Sequence, residues 1–386
     1  MTDKRRLRSL KQARRDVRRA KKRNAGGAAG EAPTDLFRRA MSCGHPLGLL
    51  RLASDLIHLS KPDKLAFLKS VRRDPVPLDR ILSALTGVRN RETTAVLAVI
   101  AELLVDEPEL QLRCREELSE RRDRLPRWIA ELSQIDVYRA VRRTDVFGDT
   151  DELFLSARID GGHELTIVVL IDHNRFGGIV GAAAAPGPID EAVALMAESD
   201  DELEVVEMSS ADARRWIEDA FVRPTFAYEA YDWPLYEPLV QWLVTRLPEG
   251  GEHRPPAMDW QVAEQLCDAF FASRLSGPFA GPMYRDQLLE LFETGTEDPL
   301  RWSEKRVRDV MRNPAYSYDD GDDIPLEVAL NVPDLLRAFI SYAHAQSGIG
   351  DELTSRTLAV IDELRSSYRH ELLGEAREFW GYDEAG

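Results

Sequence analysis

The chain has 386 residues, 51 Lys and Arg against 67 Asp and Glu, a formal charge of -16, 44% hydrophobic residues and three cysteines. That length accommodates two or three packed domains, and the mix of apolar and charged residues excludes a disordered polyanion and a fibrous repeat. The charge is unevenly spread: residues 1–24 carry a net +10, which leaves -26 on the remainder.

The twelve cations of that first segment are Lys4, Arg5, Arg6, Arg8, Lys11, Arg14, Arg15, Arg18, Arg19, Lys21, Lys22 and Arg23. Leu7, Leu10, Ala13, Val17 and Ala20 form only a narrow apolar stripe among them, so self-repulsion opposes a stable isolated helix. Such an arm suits a polyanion, RNA or DNA or a ribonucleoprotein, whose phosphates would relieve the repulsion. It has no aromatic residue to stack on bases, so the expected grip is on backbone and not on sequence. Docking on the acidic body, contact with anionic lipid and an idle tail are the competing fates. The small residues from Asn24 to Pro33 cannot bury a core, and the reading is a basic arm and Gly/Ala linker over 1–33 without fixed structure.

From Thr34 to Ile135 the pattern is helical, a bundle or short solenoid. Leu47, Leu50, Ala53, Leu56 and Ile57 share one face, and Val96, Val99, Ile100, Leu103 and Leu104 share another. Breakers at Gly44–Pro46, Pro62, Pro75, Pro77, Pro108 and Pro126 divide it into six or seven short helices.

The pattern changes at Asp136, and residues 136–223 read as a small α+β unit. Leu153–Ile159 and Leu165–Ile171 flank Asp160, Gly161, Gly162 and His163, which predicts a β-hairpin whose second strand, an unbroken apolar run, is buried on both faces. An Ala-rich loop, a helix over 189–198, a strand over 203–208 and a helix capped by Ser209 or Ser210 follow. Residues 224–257 form an aromatic and proline-rich connector with Tyr228, Tyr231, Trp233, Tyr236 and Trp242. Residues 258–386 are helical again. The expected fold class is mainly α with a small α+β unit.

The sharpest polar cluster follows the buried strand: Asp172, His173, Asn174, Arg175, Phe176, Gly177 and Gly178. Residues just past a strand end line crevices where ligands bind. Asp and His can ligate a metal or exchange protons, and paired glycines can turn backbone N–H groups toward an anion. The plainer reading, which we favour, is a turn built by Asp and Asn with positive φ at glycine. A metal-dependent hydrolase would use Asp172 and His173 as ligands with Asp149 or Asp151 as partner. The plainer reading of those last two is a solvated acidic loop.

Other motifs carry less. The acidic loop Tyr318–Asp323 lacks the alternation and closing Glu of a calcium-binding loop. Arg301–Arg308 reads as a structural helix with Trp302 in the core and its cations in water. Cys43, Cys114 and Cys267 have no metal or disulfide spacing, and no nucleotide-binding glycine motif or nucleophile elbow occurs, so no cofactor is implied. With no apolar run long enough to span a bilayer and no secretory h-region, the expectation is a soluble cytoplasmic protein.

Ile171–Gly178 and Pro299–Ser303 resemble segments of actinobacterial proteins of unassigned activity. The resemblance spans roughly Asp136 to Leu373 and implies the same domain order and no particular reaction. The leading expectation is thus a binding or adaptor protein acting through its basic arm. The metal-dependent hydrolase and a helical scaffold for another protein are the alternatives.

Overall fold

The structure, a computed structural model, describes residues 33–62, 74–197, 203–223, 233–253, 258–312 and 325–380. The basic arm, Tyr228, Tyr231 and the acidic loop Tyr318–Asp323 lie outside the described residues. The chain divides into two compact units. The first runs up to Ile135 and takes in Ile159–His163 and Leu235–Trp242. The second holds Asp136–Arg158, 164–234 and the chain from Leu243 onward.

The first unit contains α1 (Pro33–Ser42), α2 (Leu47–His58), α3 (Leu78–Thr86), α4 (Arg91–Leu103), α5 (Pro108–Glu120) and α6 (Arg127–Ala130). It is a bundle around α4, which packs against the other five helices. The sequence explains that position: Thr93 through Leu97, Val99 through Ala101 and Leu103 are all buried, an apolar surface too broad for a helix with one wet face. Its start is fixed by reciprocal bonds between Asn90 and Thr93, the Thr93 N–H donating to Asn90 Oδ1 at 2.8 Å. The predicted faces are the buried ones, with Leu50, Ala53, Val96, Val99 and Ile100 fully enclosed.

The second unit begins with a single antiparallel sheet of five strands in the order β4-β3-β2-β1-β5. The strands are β1 (Asp136–Thr144), β2 (Thr150–Ile159), β3 (His163–Asp172), β4 (Gly178–Pro186) and β5 (Glu204–Met208). Helix α7 (Ile189–Ala197) covers one face, where Ile189 and Ala192 meet Val141, Phe154 and Val168 on three neighbouring strands. Helix α8 (Ser210–Phe221), capped by Ser209, lies against β1 and β4. The predicted hairpin is β2 and β3, and β3 is buried on both faces over Leu165–Val169. The sheet has two further strands, β1 and β4, at positions that the sequence pattern leaves as connections.

Both hide for physical reasons. β1 carries Arg139, Arg142 and Arg143, which break apolar alternation but are neutralised across the sheet: Arg143 stands opposite Glu152 with its Nε 3.2 Å from the carboxylate. Arg139 bonds Glu207 of β5 and Asp190 of α7. β4 is a run of Gly and Ala, poor strand formers on their own, held by pairing along β3 from Asp172 to Leu165.

After α9 (Trp233–Val244), the unit closes with α10 (Trp260–Phe271), α11 (Pro282–Phe292), α12 (Glu304–Arg312), α13 (Leu326–Leu330), α14 (Val332–Ser347) and α15 (Asp351–Trp380). Their shared core centres on Phe270, Phe292, Phe339 and Trp302, with ring centroids 5.1–6.3 Å apart around Phe339. No helix of the described residues is long and apolar enough to cross a membrane.

Candidate functional site

Two turns at one end of the sheet assemble the polar residues singled out in the sequence. Between β1 and β2 the chain must reverse, and Asp145 organises that reversal: its Oδ1 accepts from the N–H of Phe147 at 2.8 Å and of Asp149 at 3.2 Å. Between β3 and β4, Asp172 does the same work, its Oδ1 accepting from the Asn174 N–H at 3.1 Å. The Gly177 N–H donates to the Asp172 carbonyl at 3.0 Å, and φ is +63° at Phe176 and +67° at Gly177. The turn reading of this segment is therefore realised, and the Gly177 amide is spent inside it. A Cβ at Gly177 would stand 2.7 Å from Arg223 Nη1, which donates to the Phe176 carbonyl and would have to shift aside. Gly178 pairs with Asp172 as the first residue of β4.

The two turns are locked together by the His173 N–H, which donates to the Asp149 carbonyl at 2.9 Å. From there the side chains diverge. His173 Nε2 lies 2.6 Å from Asp151 Oδ2, whereas Asp172 Oδ2 accepts from Lys305 Nζ of α12 at 2.6 Å. Asp172 and His173 thus serve different partners. Among the described residues no group of three or more His, Cys, Asp and Glu is placed to hold a metal ion.

The expectation of a solvated acidic loop is corrected. Asp149 and Asp151 are 5% and 3% exposed. The C-terminal helices cover Asp149, where Phe147 rests 5.7 Å from the ring of His344 on α14 and Ser303 and Lys305 lie beside the carboxylate, whereas Asp151 is enclosed by His173 at 2.6 Å and Arg142 at 3.8 Å. Burial, reinforced by the negative charge of Asp145, pushes the Asp149 carboxyl up to about 6; Ser303, Asn174 and Lys305 pull it back only in part. Burial also raises Asp145, against four backbone N–H donors that favour its ionised form.

Arg306 is the second correction. It stands on a helix whose cations read as water-facing, yet it is 1% exposed. Its guanidinium stacks 4.0 Å above Trp302 and donates to the carbonyls of Asp298, of Arg301 at 2.9 Å and of Phe292 at 3.1 Å. Burial lowers it to about 10, with Asp149 the foremost charge resisting that fall. Neither Lys305 nor Arg306 is distinguishable by sequence from the exposed Arg301; the only hint is that both lie within one turn of the buried Trp302.

A second polar chain runs outward from His173. Its ring meets Trp216 of α8 edge-on at 6.2 Å; Trp216 lies 4.3 Å from His253, and His253 Nδ1 is 2.9 Å from Asp219 Oδ2. Arg142 sits 5.0 Å over the Trp216 ring and 3.8 Å from Asp151. Two Asp-paired imidazoles thus flank one indole. Burial depresses His253, against the opposing pull of the Asp219 carboxylate. Such pairs orient an imidazole for proton transfer, and they equally stabilise a buried junction.

The remaining reactive groups are subdued. Burial raises the thiols of Cys114 and Cys267 to about 11 and about 12, which removes thiolate character near neutrality, and Cys43 is exposed. No protein-family model, curated protein or solved structure matches this chain.

Proposed function

We propose that this protein is a binding or adaptor protein that takes up RNA, DNA or a ribonucleoprotein through Lys and Arg residues of its first 24 positions. The observation that carries the reading is the charge division, +10 on that segment against -26 on everything after it. Counterion release makes such an arm a strong, sequence-indifferent ligand for phosphate backbones. The acidic body repels the same polyanion, so contact is confined to the arm. The candidate cluster at the sheet end supports the same division of labour. Its charges are engaged by internal partners: Asp172 by Lys305 across to the C-terminal helices, Asp151 by His173 within the sheet end, and Arg306 by three carbonyls of its own helical region.

The test is retention of a fluorescent RNA by the full chain and by a variant lacking residues 1–24, across a salt series. Engagement of about six arm cations gives a slope of log affinity against log salt of about -4 to -5. The truncated chain is expected to lose retention at all salts. Equal retention by both proteins would end this reading.

A further inference from the structure

Native interiors rarely leave buried polar atoms unpaired, and where several gather, an ordered water usually completes them. Four such atoms come from residues that meet at the joint between the two turns and α12: Asp149 Oδ1, Asn174 Oδ1, Asn174 Nδ2 and Arg306 Nε, all buried and without a hydrogen bond. Asp149 and Arg306 are themselves 5% and 1% exposed. Their convergence is seen at Gly295, whose α-carbon abuts both partners: the point where a Cβ would stand is 2.6 Å from Asn174 Oδ1 and 2.9 Å from Arg306 Cδ. Asn174 and Ser303 both lie against the Asp149 carboxylate. Thr296, next to Gly295, is buried with its hydroxyl unpaired as well.

We propose that Asp149, Asn174 and Arg306 form a built site for internal water, one or two molecules that bridge the sheet to the C-terminal helices. Charge and space select this ligand. A cation is opposed by the Arg306 guanidinium, with Lys305 close by, and an anion by Asp149 with Asp145 behind it. A neutral molecule that both donates and accepts satisfies all three partners: it donates to Asp149 Oδ1 and Asn174 Oδ1 and accepts from Asn174 Nδ2 and Arg306 Nε. The close approach at Gly295 leaves no room for an organic ligand on that side. The site goes beyond the polyanion reading and is independent of the arm.

Two measurements on the full chain decide it. A crystal structure at about 1.8 Å, fine enough to place ordered solvent, should show a peak within about 3.2 Å of Asp149 Oδ1 and of at least one of Asn174 Oδ1, Asn174 Nδ2 and Arg306 Nε. Direct bonds among these atoms with no such peak, or an anomalous scatterer marking an ion, would overturn the proposal. In solution, the Asn174 side-chain amide should show a cross-relaxation signal to water of the sign given by a molecule resident for longer than nanoseconds. Absence of that signal would overturn it independently of the crystal.

Discussion

Asp149 gives the sharpest stability test, because its carboxyl is raised from 3.8 to about 6 by burial and by Asp145. In the unfolded chain the group loses its proton near the lower value; in the folded protein it keeps the proton to the higher one. Between the two the native state binds more protons, so raising the pH through this window removes stability, and above about 6 the full cost is present. At about 1.4 kcal/mol per pH unit that cost is about 3 kcal/mol as an upper bound. Asp149→Asn keeps the shape and discards the charge. Some of the gain is returned, since Arg306 then lacks its principal counter-charge, which leaves a net stabilisation of about 1–2 kcal/mol above pH 6.5. The expected result of urea or thermal unfolding from pH 4 to pH 8 is a variant close to the parent at the acid end and progressively more stable toward neutrality. A variant less stable than the parent at pH 7.5, or a difference independent of pH, would show that the carboxylate is held by its neighbours and that this account of its environment is mistaken.

The other predictions concern the same joint. Lys305→Met removes the ammonium partner of the Asp172 carboxylate, which is 4% exposed; with the lysine side chain 36% exposed the pair is partly screened, so unfolding should show a loss of about 1–3 kcal/mol and not the larger penalty of a fully buried pair. Gly295→Ala and Gly148→Ala form a controlled comparison, since φ is +64° and +69° but only the first brings a Cβ within 3 Å of Asn174 and Arg306. The second should cost about 1 kcal/mol and the first at least about 1 kcal/mol more, by equilibrium unfolding. His253 and His344 act with the opposite sign to Asp149. Burial lowers both, so the unfolded chain gains protons first and stability falls as pH drops below 6.5. In the Asp149→Asn background this acid loss should be seen without the opposing gain, as a melting temperature that declines steadily from pH 6.5 to pH 5.

Much of the architecture was legible before any coordinates. Local patterns carry their own physics: the period of Leu47, Leu50 and Ala53, the glycine turn at 160–163 and the apolar run of β3 predicted elements that the structure contains, because each depends on neighbours a few positions away. The turn at Asp172–Gly178 was legible for the same reason, since Asp and Asn bond their own backbone there. β1 and β4 were not, because arginines neutralised by Glu152, Glu207 and Asp190, and alanines held by a neighbouring strand, have no local signature of a strand.

The charge division between the first 24 residues and the rest is wholly a property of the sequence, as net charge requires no fold. Which charges are buried is wholly a property of the tertiary structure. Asp149, Asp151 and Arg306 look like solvated surface in any window of the chain. Asp149 lies in the interior because Ser303 and Lys305, more than a hundred residues downstream, close over it, Asp151 because His173 from the next turn meets it, and Arg306 because Trp302 and the carbonyls of Phe292, Asp298 and Arg301 enclose it. Desolvation, the force that moves Asp149 toward neutrality and makes its unpaired oxygen informative, acts through that long-range closure, and no local pattern encodes it.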